Sequence, residues 1–238
     1  MAKKVAPPYE SREVVYDKSH WELLGRLRAK ALGVINALNK HCIEGRAYGS
    51  IARGDVNAKS DVDIIVPETI DSFIIEGVLV KSGFSLESRE VSQATPVHTV
   101  KATIYIDQTL KVTFPLLPMR GKEREFYKFG GEVGASELAA GTRVAGIDKR
   151  LMLIEPTERG HAERSVLTYE VEAAKIVGVS LEVVLERVRV LARRDQKGRT
   201  GIFFKKVLRE GETFEGVLME RFSKDPSLRR LLQQRGRK

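Results

Sequence analysis

Tyr48-Gly49-Ser50-Ile51-Ala52-Arg53-Gly54-Asp55, then five residues, then Asp61-Val62-Asp63-Ile64-Ile65-Val66-Pro67, is the stretch whose reading decides this fold. Gly49 and Ser50 follow a short apolar run, Ala47 and Tyr48. Ser60 and Asp61 lead into Ile64-Ile65-Val66, whose β-branched content predicts a buried strand. Side chains alternate along a strand, so Asp61 and Asp63 point the same way with their Cα atoms roughly 6–7 Å apart. Like charges held that close repel, and a cation relieves the repulsion. Hard ions such as Mg²⁺ favour carboxylate oxygens together with substrate phosphates. Gly49 permits close approach of backbone to a ligand. The amides of Ser50 and Ile51 would face a phosphate chain if they open a short helix, and Arg53 adds a positive charge beside them. The alternative is a plain strand start with two solvated acids.

With glycine, serine and arginine upstream at this spacing, the stretch resembles the signature of the DNA polymerase β nucleotidyltransferase superfamily, Gly-Ser followed by Asp-x-Asp. Within it the match is to the archaeal minimal nucleotidyltransferases and the head of archaeal CCA-adding enzymes. Gly49, Ser50, Arg53, Gly54, Ser60, Asp61 and Asp63 carry the match, which spans residues 20–118. The resemblance implies an enzyme that moves a nucleoside monophosphate from a nucleoside triphosphate, ATP being the expected one, to an acceptor hydroxyl. It assigns Ser50 to the nucleotide phosphates, and Asp61 and Asp63 to catalysis and to Mg²⁺ or Mn²⁺; Gly49, Arg53 and Ser60 are the further candidates for the nucleotide. It also implies a third carboxylate on a later strand, and there the chain departs: in Lys111-Val112-Thr113-Phe114-Pro115, Thr113 stands at the expected position. A threonine is no base at neutral pH. Asp107 is the substitute if the strands slip, and an ordinary turn residue otherwise.

The rest of the chain fits an α+β protein. Its 238 residues and 42% apolar content allow an ordinary buried core. Cys42 is the only cysteine, which excludes an internal disulfide and fits a reducing, cytoplasmic setting. No apolar run approaches the roughly 18–20 residues of a membrane span. Asp17 or Ser19 caps a helix in which Trp21, Leu24, Leu27, Ala31, Val34, Ile35 and Leu38 recur at helical spacing as far as Asn39. A strand at 45–48, a helix over 70–81 and strands at 97–106 and 110–117 surround the signature. A charged helix over 122–128 and a break at Gly130-Gly131 come next. Residues 142–155 read as a second hairpin that extends the sheet, and residues 1–16 as loose, extended chain. The expected architecture is a mixed-sheet nucleotidyltransferase domain with helices on one side, residues 1–158. A small winged-helix-like, mostly α domain follows over 159–238, divided from it at the polar break Pro156–Gly160.

That C-terminal part is basic: residues 161–238 hold 18 Lys and Arg against 11 Asp and Glu, while residues 1–160 hold 23 against 21. Such asymmetry suits a polyanionic partner, tRNA or another nucleic acid. Two helices joined at Gly178-Val179-Ser180 resemble a helix-turn-helix. Glu182 and Glu186 at the start of the second would repel phosphates, which shifts the expected contacts to Arg193, Arg194, Lys197 and Arg199, read as a basic wing. A helical pair that merely packs on the catalytic domain is the alternative. A second function stands beside the first: a catalytically impaired scaffold of the same fold that binds nucleic acid through this basic region.

Overall fold

The computed structural model describes residues 5, 11–198 and 201–235. In chain order its elements are β1 (Arg12–Val15), α1 (Lys18–Asn39), β2 (Arg46–Tyr48), α2 (Ser50–Arg53), β3 (Val62–Ile65), α3 (Ser72–Lys81), β4 (Ser88–Gln93), β5 (Lys101–Tyr105), β6 (Leu110–Pro115) and α4 (Gly121–Phe129). Then come β7 (Glu132–Val133), α5 (Ala135–Ala139), β8 (Gly146–Ile147), β9 (Met152–Thr157), β10 (Gly160–Ser165), α6 (Glu170–Val177), α7 (Leu181–Lys197), β11 (Phe204–Val207), α8 (Phe214–Lys224) and α9 (Pro226–Arg235). The protein is α+β, with a mixed sheet.

The larger sheet has seven strands in the order β11-β4-β5-β6-β3-β2-β7. β3 and β6 run parallel, and the other neighbours antiparallel. Alternation gives this sheet two unlike faces. Ala47, Ile64, Ile104 and Val112 point to one side and are fully buried, packed with Ile35 and Leu38 of α1 and Leu79 of α3. Asp61 and Asp63 belong to the other. α1 starts where the sequence placed its cap, since an Asp17 carboxylate oxygen accepts the His20 amide at 2.8 Å.

The C-terminal residues divide between two cores. α6 and α7 press Ala174, Val183, Val184 and Leu191 onto Ile147, Leu153 and Val166 of a second, smaller sheet and its edges. That sheet has the order β1-β10-β9-β8. Residues 204–235 return instead to the first core. β11 pairs with β4, and Phe214, Val217, Leu228 and Leu231 from α8 and α9 join the apolar cluster under the larger sheet. The last helix is tied down by Arg235, whose guanidinium meets the buried Glu123 carboxylate at 2.8 and 3.1 Å.

Several sequence expectations change accordingly. The break at Pro156–Gly160, expected to divide two domains at 158/159, is the end of β9, a two-residue turn and the start of β10, and the two strands pair from Thr157↔Gly160 onward. Pro156 is tolerated in a strand because β8 covers only Leu153 and Ile154, so the missing N–H at 156 faces no neighbour on that side. The 142–155 hairpin forms as β8–β9 but builds the small sheet and does not extend the large one. Residues 12–15, read as loose, are strand β1 paired with β10. A Cβ on Gly160 would lie 1.9 Å from the Val14 carbonyl oxygen, so glycine is what lets β1 close on β10. The basic wing is not a hairpin. Arg193, Arg194 and Lys197 form the exposed last turns of α7, and the strand that follows pairs with β4 in the other sheet. Arg199 lies outside the described residues.

Candidate active site

The site grows from the pairing of three strands. β2 and β3 pair with Tyr48 opposite Asp63, and β3 and β6 pair with Asp63 opposite Lys111. Paired residues share a face. Tyr48, Asp63, Lys111 and, on β5, Tyr105 therefore form one row across the face that the first core leaves free. Gly49 follows at the end of the row with φ +83° and ψ −144°, a conformation open to glycine and strained for other residues. Its amide donates to the Gly131 carbonyl at 2.9 Å. This glycine turns the chain straight from β2 into α2 and sets Ser50 at the helix start. The Ser50 hydroxyl lies 3.4 Å from the Ser60 hydroxyl, which in turn accepts the Asn57 amide at 2.9 Å. The turn and the residue before the acid pair are thus in contact.

Asp61 is exposed and Asp63 is half-buried. The Lys111 ammonium lies 2.9 Å from an Asp63 oxygen and 3.6 Å from an Asp61 oxygen. Burial works against the charge on Lys111. The two carboxylates, Asp63 foremost, outweigh it and hold the ammonium above the ordinary lysine value. One cation thus lies within reach of both acids. Asp61 and Asp63 would hold Mg²⁺ or Mn²⁺, with phosphate oxygens and water completing the shell. The fit is to a single ion. Among the described residues no three His, Cys, Asp or Glu side chains gather into a metal site.

Thr113 and Asp107 supply no third acid beside the pair. Thr113 pairs with Ile65, two residues beyond Asp63, is buried, and its hydroxyl lies 3.3 Å from that of Thr103. The residue alongside Asp63 is Lys111. Asp107 is spent on its own turn: one carboxylate oxygen accepts the Thr109 amide at 2.6 Å and the Leu110 amide at 2.8 Å, and the other lies 3.4 Å from Lys30 of α1. Burial raises its pKa, and these bonds together lower it below the ordinary aspartate value.

Arg53 also differs from expectation. It is buried, with one terminal nitrogen on the Gly130 carbonyl and the other 2.9 Å from Asp55. It pins α2 to the glycine break, and a phosphate would have to displace Asp55 to reach it. Arg193, Arg194 and Lys197 are exposed, as a phosphate contact requires.

Tyr48, Lys101, Lys111 and Tyr127 are given no role by the sequence alone. Tyr127 of α4 stacks edge-on against Tyr48 at 4.9 Å and accepts a hydrogen bond from Lys101 at 2.8 Å. Burial pushes Lys101 down to about 8, partly opposed by Glu123. Burial pushes Tyr48 and Tyr127 up, so both phenols stay neutral at physiological pH. Odd numbering on β6 and β5 could have put Lys111 and Lys101 on the acid face, because that parity follows from the Val112 and Ile104 core pattern. Nothing local could have set the parallel register that brings Lys111, and not Thr113, to Asp63.

Comparisons with models of known protein families, with curated proteins and with solved structures find no match.

Proposed function

We propose that this protein is a metal-dependent nucleotidyltransferase that places a nucleoside monophosphate on an acceptor hydroxyl, with ATP as donor and an RNA end such as that of tRNA as acceptor. The observation that carries the reading is the convergence of the Gly49–Ser50 turn with Asp61 and Asp63 around one cation position, through the Tyr48–Asp63 pairing and the Ser50–Ser60 contact. When bound to the acids, Mg²⁺ supplies charge neutralisation for the phosphate chain. Ser50 and the Gly49 turn orient that chain, and Asp61 and Asp63 set its position relative to the sheet. The acceptor oxygen bonds to the α-phosphorus, the bond from that phosphorus to the pyrophosphate oxygen breaks, and pyrophosphate leaves. Because Lys111 stands beside Asp63 where a carboxylate could have taken the acceptor's proton, that proton passes to solvent. A positioned base contributes roughly 10²–10⁴-fold, so turnover is expected to be slow by that measure.

The test is transfer of label from α-labelled ATP, in Mg²⁺, to tRNA, to other RNA ends and to protein. Labelled product is expected with the native protein. Asp63→Asn should lower it by more than the roughly 100-fold that loss of an outer partner of a metal ligand costs. Absence of label from all four triphosphates on every acceptor class would overturn the reading. A second reading is favoured by one observation, the ammonium of Lys111 already paired with both acids. On it, the fold is a retired scaffold that binds nucleic acid through the basic end of α7. It requires salt-sensitive RNA binding indifferent to Asp61→Asn, and metal-dependent turnover that vanishes in that variant would end it.

A further inference from the structure

Lys111 is placed where the cation of a two-acid site belongs. Its strand position is fixed twice, by the parallel pairing with Asp63 on β3 and the antiparallel pairing with Tyr105 on β5, so its backbone stays beside the acids while the side chain can move. Its ammonium is within 4 Å of both carboxylates. A divalent ion bonded to an Asp63 oxygen would sit about 2.0–2.1 Å from it, in space that the ammonium now fills at 2.9 Å. The two cations cannot share that position. A lysine, unlike an arginine, can leave without breaking a bidentate fork, because its charge is a point at the end of a flexible stem. The Lys111 side chain is also 28% exposed, so its head has an outlet.

Resting on the nucleotidyltransferase reading, we propose that Lys111 is an exchangeable counter-ion: it holds the acid pair while the site is free of nucleotide, and shifts its ammonium to the phosphate chain when a triphosphate binds, releasing Asp61 and Asp63 for the divalent ion. The site is then closed to metal alone and opened by nucleotide. Lys111 thereby becomes a phosphate-positioning residue. Metal and triphosphate bind cooperatively because each removes the other's competitor, and by linkage the coupling is the same in both directions.

The experiment is Mn²⁺ titration, followed by the electron paramagnetic resonance signal of the free ion, with and without α,β-methylene ATP. The proteins compared are the native chain, Lys111→Met, which keeps the stem, and Lys111→Arg, which keeps the charge. The native protein is expected to bind Mn²⁺ weakly alone and about tenfold or more tightly with the analogue, the order of effect of two partly exposed ion contacts. Lys111→Met should bind Mn²⁺ alone about tenfold more tightly than the native protein, so that the gain from adding the analogue shrinks to what direct phosphate ligation of the ion supplies. Lys111→Arg should bind Mn²⁺ alone as weakly as the native protein, which also separates loss of charge from damage to the fold. Equal Mn²⁺ affinity in native and Met proteins, with the analogue still bound, would overturn the role of Lys111 and leave the enzyme reading standing. Failure of every variant to bind either Mn²⁺ or the analogue would overturn both.

Discussion

The two faces of the seven-stranded sheet are made by the same strands and obey different rules. On one, Ala47, Ile64, Ile104 and Val112 are fully buried against α1 and α3, and what counts is volume. On the other, Asp63, Lys111, Tyr105 and Glu90 hold charge and hydrogen bonds, with Tyr105 donating to Glu90 at 3.3 Å and Lys205 2.8 Å from the same carboxylate. A substitution on the first face should appear as lost stability, and one at the acids of the second as lost chemistry. The contrast teaches that neighbouring residues of one strand, Asp63 and Ile64, answer to different selective demands.

The largest stability effect is expected off both faces, at the seam where the last helix is fastened. Arg235→Ala leaves Glu123 buried without its partner and should cost about 3–5 kcal/mol in urea unfolding. That pair also has a pH signature. Burial raises the pKa of Glu123, while bonds from Arg235 and from the Arg120 and Thr99 amides together lower it below the ordinary glutamate value of 4.5. Its contribution is full above that value and is lost as pH falls through the lower folded one, so the native protein should lose stability faster than Arg235→Ala below that value. Ile64→Ala comes next, at about 2–5 kcal/mol for a cavity against α1, with labelled transfer by the surviving folded fraction unchanged. Thr113→Val removes one hydroxyl contact, to Thr103, for about 1 kcal/mol, and should leave transfer intact because Thr113 is not beside the acids. Asp63→Asn should move stability by no more than about 1 kcal/mol, the scale of a partly exposed ion pair, while abolishing transfer. A large stability loss in that variant, by thermal melting, would break the contrast between the faces.

Legibility in the sequence followed the same division. The strand through Ile64, the glycine turn and the Asp17-capped helix were readable because each depends on residues a few positions apart. Lys111 was not, because a parallel register is set by a partner strand some fifty residues away and by the crossover between them. The basic segment misled for another reason. The basic residues read as a wing, but Leu191-Ala192-Arg193-Arg194 and Gln196-Lys197 are good helix formers, and α7 continues to Lys197 before the chain turns at Gly198, with φ +79°. Arg53 had the composition of a phosphate ligand and became an internal brace because Asp55, two residues on, reaches it first.

The return of β11, α8 and α9 to the first core sets an order on biosynthesis. As the chain leaves the ribosome, β4 is made about a hundred residues before its outer neighbour, residues 204–207. Until that neighbour follows, β4 exposes an uncovered hydrogen-bonding edge, and the apolar places of Phe214, Leu228 and Leu231 stand empty. A nascent chain stalled before that point carries a ready template for strand addition by its neighbours. Such polysome-bound fragments are where chaperone demand and aggregation of this protein should concentrate.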